Sequence, residues 1–238
     1  MTDAHCHVSC GDSSVRELLI GRDFFGIHPW ETLEECKVES VKCKVEGELR
    51  SKLLANPNAG VGEIGLDRLK ERDIPPLMRE VFEAQLSLAL ELRRPVVLHG
   101  AKCWGQVVEA IKVQSAFAAK PLVPLRGKAA LVQGVEAPGT RFLFHGFSRS
   151  DGLIPEIVKL NGFISVGPAV LNDHAVNYRE LVKKIPLDRL IVETDRTASS
   201  DSPSIFDVLA KTADILNLSA AELERITDEN TDRFLGVV

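Results

Sequence analysis

Asp3-Ala4-His5-Cys6-His7 is the stretch on which the reading of this chain turns. Successive side chains of an extended strand point to opposite faces, so His5 and His7 share one face and Cys6 takes the other. Two imidazoles on one strand face make half of a metal site. The other half has to come from distant parts of the chain. That requirement leads outward to every other place where an apolar run ends in a histidine or a carboxylate. Cys6, on the opposite face, reads as a buried thiol rather than a ligand.

Such runs recur along the chain. Strands are predicted over Met1–Val8, Phe24–His28, Gly60–Leu66, Pro95–Gly100, Arg141–Gly146, Gly162–Gly167 and Arg189–Asp195. Helical patterns fall between them. Leu77, Val81, Leu88 and Leu92 mark one face of a helix over Leu77–Arg93, behind Pro75-Pro76. Further helices are predicted over Trp104–Ala119, Asp151–Leu160 and His174–Ile185. Ser202-Pro203 reads as the cap and first position of a helix to Leu216, and Ser219-x-x-Glu222 as a capping box. Strands alternating with helices predict a parallel α/β architecture. A chain of 238 residues suits a single domain, residues 1–238, folded as a TIM-type (β/α)8 barrel. Only seven strands are clear, so the barrel is expected to be incomplete or distorted. Val8 to Phe24 leaves little room for a full helix–strand–helix unit.

His5, His7, His28, His99 and His145 fall on or at the end of a predicted strand; His174 alone does not. Glu63 and Asp195 stand near the ends of two more. In a parallel barrel the C-terminal strand ends gather at one mouth, so these residues converge. One buried imidazole is ordinary, but an apolar core that buried five without purpose would be costly. His5, His7, Glu63, His99, His145 and Asp195 therefore read as metal ligands. His28, before Pro29-Trp30, reads as a ligand, a phosphate contact or a turn residue. Glu193 shares the face of Asp195 and is either the group that orients a ligand histidine or a buried, paired carboxylate. Mixed imidazole and carboxylate ligands suit Zn, Mn, Fe or Ni, and Mg less well. Six are too many for one tetrahedral ion with an open position and fit two divalent ions sharing a bridging carboxylate. Such a pair primes water and clamps both oxygens of a phosphodiester displacement.

The formal net charge of -5 argues against a broad grip on duplex nucleic acid, yet leaves room for action at a nucleic-acid end. Five cysteines, an odd number without a C-x-x-C pair, fit free thiols in a reducing compartment. The start of the chain shows no basic-then-apolar leader pattern, and no apolar run approaches about 18 residues. A cytoplasmic, non-membrane protein without an evident obligate protein partner is expected. Lys102, Arg149 and Arg196 lie a few residues past ligand strands, where cations either hold phosphate oxygens or are solvated surface charges. Arg68, Lys70 and Arg72 extend that rim, diluted by Glu71 and Asp73. Trp30 and Trp104 stand just past strand ends and either stack an unpaired base or pack against a helix. Ser115–Thr140, with Pro121, Pro124, Pro138, Lys120, Arg126 and Lys128 against Glu136 alone, reads as a solvated excursion or a substrate-gripping loop.

The ordered set of motifs resembles the TatD family of metal-dependent hydrolases, among the amidohydrolase-like barrels. The matching stretches are Asp3-Ala4-His5-Cys6-His7, Gly26-Ile27-His28-Pro29, Gly62-Glu63-Ile64-Gly65-Leu66-Asp67, Val81-Phe82-Glu83-Ala84-Gln85-Leu86 with Pro95-Val96-Val97-Leu98-His99, Phe144-His145-Gly146-Phe147-Ser148, Val192-Glu193-Thr194-Asp195 and Glu229-Asn230-Thr231-Asp232-Arg233-Phe234. The resemblance implies a (β/α)8-type barrel and divalent-metal hydrolysis, with many relatives assigned as deoxyribonucleases and some as 3′ exonucleases. It further implies that His5, His7 and Asp195 hold one metal, that His99 and His145 hold the second, and that Glu63 bridges. Asp195 would also take a proton from the attacking water as general base. The chain departs from the family around the mouth: a short segment after His7, Gly100-Ala101-Lys102 where Ser-Arg is usual, Arg196-Thr197 where a small residue and Pro are usual, and a long Ser115–Thr140 stretch.

The expected activity is thus a two-metal phosphodiesterase or deoxyribonuclease acting on single-stranded DNA ends or small phosphoesters. One alternative is an amidohydrolase cleaving a C–N or ester bond of a small molecule; another is a metal-binding barrel without turnover. Related amidohydrolase barrels often bridge their metals with a carboxylated lysine. No lysine falls on a predicted ligand strand here, and Glu63 fills that slot, which favours the phosphodiesterase.

Overall fold

The computed structural model describes residues 1–32, 41, 43–69, 72–118, 139–198 and 203–237. Lys70, Glu71, Cys36, Ser202 and the middle of the Ser115–Thr140 stretch, with its three cations, lie outside the described residues.

The described strands are β1 (Thr2–Cys6), β2 (Arg16–Leu19), β3 (Phe24–Phe25), β4 (Gly60–Asp67), β5 (Val96–Ala101), β6 (Phe142–Phe144), β7 (Gly162–Val166) and β8 (Leu190–Val192). All neighbours pair in parallel, β1 with β2 in one sheet and β3 through β8 in sequence order in another. Two thin seams join the sheets. Ile20 bridges to Phe24 on one side, and on the other Asp195 N donates to His5 O at 3.0 Å and His7 N to Arg196 O at 2.8 Å. Asp3 reinforces the second seam by accepting from Thr194 N at 2.9 Å and from its hydroxyl at 2.5 Å.

The expectation of seven strands is corrected: β2 supplies the eighth. What the segment lacks is a helix between β1 and β2. A parallel connection normally needs a dozen residues or more. Residues 7–15 manage without a helix because an extended chain of that length reaches about 30 Å, well beyond one short strand. Several strands also stop earlier than expected, so His7, His28, His145 and Asp195 sit in the loops just past them.

The principal helices are α1 (Arg50–Ala55), α2 (Pro76–Leu92), α3 (Trp104–Ala118), α4 (Ile154–Lys159), α5 (Val176–Val182), α6 (Ile205–Leu216) and α7 (Ala220–Leu235). Pro76 opens α2 where its missing N–H costs nothing. The cap of α6 is Ser204, whose side chain accepts from Phe206 N, rather than Ser202. Ser219 caps α7 as expected, accepting from Glu222 N at 3.2 Å.

Burial follows strand alternation. Val96 and Leu98 join the large cluster formed with the helices, whereas Val97 turns the other way into a smaller cluster with Leu18, Phe24, Leu143, Phe163, Ile191 and Phe234. Phe234 of α7 stacks on Phe24 with ring centroids 5.9 Å apart. Val97, Leu143 and Ile191 each lie two residues before His99, His145 and Glu193, hence on the same strand face. The inner apolar layer thus ends where the polar mouth begins.

Candidate metal centre

Glu63 is the hub. Its Oε2 faces His5 Nε2 at 3.4 Å and His7 Nε2 at 3.5 Å. Its Oε1 faces His99 Nδ1 at 2.6 Å, His145 Nε2 at 3.6 Å and His28 Nε2 at 3.7 Å. Asp195 Oδ1 closes the first nest, 3.5 Å from His5 Nε2 and 3.6 Å from His7 Nε2, and its Oδ2 lies 3.9 Å from His145 Nε2. The residues expected to converge, from 5 to 195, do converge, and His28 joins them.

Most of these separations are too long for good hydrogen bonds. They match the spacing of donors around one ion: ligands at about 2.1 Å in a tetrahedron stand about 3.4 Å apart. His5 carries the clearest sign. It is fully buried, yet neither ring nitrogen has a hydrogen-bond partner among the described residues. A buried polar group is normally paired, and a cation between His5, His7, Glu63 and Asp195 would satisfy the orphaned Nε2.

Electrostatics favours positive charge at the same place. Burial opposes a charged His5, but Asp195 and Glu63 outweigh it and lift its pKa to about 10. His99, also working against burial, is raised to about 9 by Asp67 and Glu63. Burial pushes the Glu63 carboxyl up, but the imidazoles of His145, His28, His5 and His7 hold it well below the usual range. Asp195 is likewise lowered, His5 and His145 prevailing over burial.

Two carboxylates brace the cluster from behind. Glu193 Oε1 lies 2.8 Å from His145 Nδ1 and accepts from Gly146 N at 2.9 Å. This agrees with the orienting alternative for Glu193. Asp67, which the sequence motif leaves without a role, has its Oδ2 2.9 Å from His99 Nε2. The signal for Asp67 is its place at the end of a ligand strand, four residues past Glu63.

Two cavities flank the centre, of about 870 Å³ and about 840 Å³. They share His145, Arg149 and Asp195. The first continues to His174, Asn177 and Tyr178; the second, to Arg68, Leu69 and Lys102. Lys102 and Arg149 are exposed and lie where the sequence placed them, at the rim. Arg196 does not: it is 8 % exposed, lines neither cavity, and its charge bears on Cys6, Cys10 and Glu17. Past the end of β8 the chain turns at Asp195, whose φ is +50°, and Arg196 ends buried away from the mouth. Trp104 is buried against Phe144 and Phe147. Cys6 is buried with its thiol toward Leu18 O at 3.8 Å, as expected.

The fold and this cluster define a class: parallel α/β barrels with a histidine–carboxylate site at the C-terminal mouth. The chain belongs to the TatD related DNase family, which it matches over residues 21–236. The match begins after β1, so His5 and His7 are placed by geometry. The chain is 27% identical over 186 residues to a metal-dependent hydrolase, YabD, of Bacillus subtilis, spanning 74% of this chain and 65% of that protein. It is 28% identical over 191 residues to the 3′-5′ ssDNA/RNA exonuclease TatD of Klebsiella pneumoniae, again covering 74% and 65% of the two chains. Among solved structures, the TatD homologue YJJV of Escherichia coli K12 superposes with a TM-score of 0.69 at 22% identity, over 96% of this chain and 79% of that one. The fold is therefore the TIM barrel.

Proposed function

We propose that the chain is a divalent-metal-dependent phosphodiesterase that removes nucleotides from single-stranded DNA or RNA ends. One observation carries the reading: the two oxygens of Glu63 face two separate sets of imidazole nitrogens, as a carboxylate shared by two ions does. His5, His7 and Asp195 would hold one ion, His99 and His145 the other, and Glu63 both. His28 stands beside the second nest, where it is a further donor or a contact for phosphate. Zn, Mn, Fe, Ni and Mg are the candidate ions. Bound there, divalent ions lower the pKa of water and offset phosphate charge.

The protein's own groups do the rest. With ions bound, Glu193 would take the Nδ1–H of His145 and turn Nε2 to the cluster, and Asp67 would take the Nε2–H of His99 and turn Nδ1 to it. Asp195, held ionised and with its side chain 46% exposed, is placed to accept a proton from water at a carboxylate oxygen. Lys102 and Arg149 at the rim attract the anionic strand despite the negative net charge. The exonuclease relative supports the choice of substrate. A reducing, cytoplasmic setting is supported by the free thiols of Cys6, Cys10 and Cys103.

The test is chelator-treated protein, reloaded with Mn or Zn, offered a 5′-labelled single strand and bis-p-nitrophenyl phosphate beside ester and amide panels. Metal-dependent shortening of the strand from its 3′ end is expected. Turnover of the ester or amide panel alone would overturn the reading.

A further inference from the structure

We infer that His28 is a hydrogen-bond donor to the phosphate and not a third imidazole ligand of the second ion, its Nε2–H serving the oxygens on which charge gathers during phosphodiester hydrolysis. The inference rests on the nuclease reading above and assigns a role within it. What stands behind each imidazole decides between ligand and donor. A histidine that ligates through one nitrogen gives the proton on the other to an acceptor. Glu193 stands behind His145 Nδ1 at 2.8 Å, and Asp67 behind His99 Nε2 at 2.9 Å. His28 is backed by the opposite kind of group.

The backbone N–H of Trp30 donates to His28 Nδ1 at 3.2 Å. An amide N–H can only donate, so Nδ1 presents its lone pair there and the neutral ring carries its one proton on Nε2. Ligation through Nε2 would strip off that proton and leave an imidazolate, whereas the imidazole that holds metals is ordinarily neutral. Turning the ring over would set a C–H against the amide instead. The turn that carries the ring is fixed as well. Glu31 N and Thr32 N donate to His28 O at 3.0 and 3.2 Å, and His28 N donates to Glu31 Oε2 at 3.1 Å. The ring lies edge-on to His99, with centroids 4.8 Å apart. Its Nε2 stands 3.7 Å from Glu63 Oε1, farther than His99 Nδ1 at 2.6 Å or His145 Nε2 at 3.6 Å. An N–H is thus held at the edge of the second nest. A donor fixed beside developing oxyanion charge needs no reorganisation when that charge appears.

Three readouts test this. In nitrogen-15 NMR of the Zn-loaded wild type with labelled histidines, the His28 ring, assigned by its loss in His28→Gln, should keep a proton on Nε2 and none on Nδ1. Zn titrated into chelator-treated His28→Ala should bind in as many equivalents as in the wild type, without the drop of tenfold or more, roughly, that loss of a ligand brings. Turnover should change instead: kcat for bis-p-nitrophenyl phosphate should fall about 100-fold in His28→Ala with KM little altered, and His28→Gln, which keeps an N–H donor, should recover part of the loss. A bare Nε2 on His28, a Zn equivalent lost in His28→Ala, or an unchanged kcat in both variants would overturn the inference. The NMR readout is made on the wild type and decides the matter even should His28→Ala misfold. Loss of Zn in His28→Ala beside an active wild type contradicts the donor role alone; a wild type that cleaves no phosphodiester contradicts the nuclease reading.

Discussion

His5 and His99 carry a consequence for pH. Their pKa values in the folded, metal-free chain, about 10 and about 9, lie above the ordinary 6.5. Each binds its proton more tightly folded than unfolded, so the stabilisation is complete below pH 6.5 and disappears as pH rises through 9 and 10. Chelator-treated protein should therefore melt at progressively lower temperature as pH is raised from neutral to 10. Added Zn should offset the loss most at high pH, where fewer protons compete for the same nitrogens. Thermal melts across that range, with and without metal, check both statements. A flat profile would mean that the carboxylates do not charge these imidazoles. The four histidines among the six ligand candidates were legible in the sequence because imidazoles at strand ends are scarce and chemically conspicuous, and Glu63 and Asp195 because they too fall at strand ends. Asp67 and Arg196 were not, since one acts through the far side of His99 and the other turns away from the mouth.

At the scale of elements, the centre depends on how closely β4 and β5 approach. Gly65 has φ +155°, and a Cβ there would stand 2.0 Å from His99 O. Only glycine lets the strand bearing Glu63 lie so near the strand bearing His99. Gly65→Ala should push the two strands apart, cost about 1–3 kcal/mol and reduce bound metal, as seen by denaturant unfolding and metal analysis. Full stability and metal content in that variant would show that the close approach is dispensable. The helices α2, α3 and α7 were readable because apolar spacing and caps are local signals. The strand β2 was missed because Arg16-Glu17-Leu18-Leu19 is short and has no β-branched residue, so only its pairing with β1 reveals it.

Over the whole molecule, a shortened first turn of the barrel leaves the mouth intact. Eight described strands still ring a small apolar layer, and the two seams fall on either side of β1 and β2, the pair without a helix between them. The seam between β1 and the end of β8 is held by the segments that carry His5, His7 and Asp195, so closing the ring and assembling the first nest are one event. Convergence of residues distant in sequence was inferable once the parallel barrel was assumed, because that fold gathers strand ends. The split of Glu63 between two nests was not, as it depends on the orientation of one buried side chain. Anomalous diffraction from crystals loaded with Mn or Zn examines that split directly. Two ions are predicted, one beside His5, His7 and Asp195, the other beside His99 and His145, each touching a different oxygen of Glu63. A single ion, or ions away from Glu63, would contradict the account.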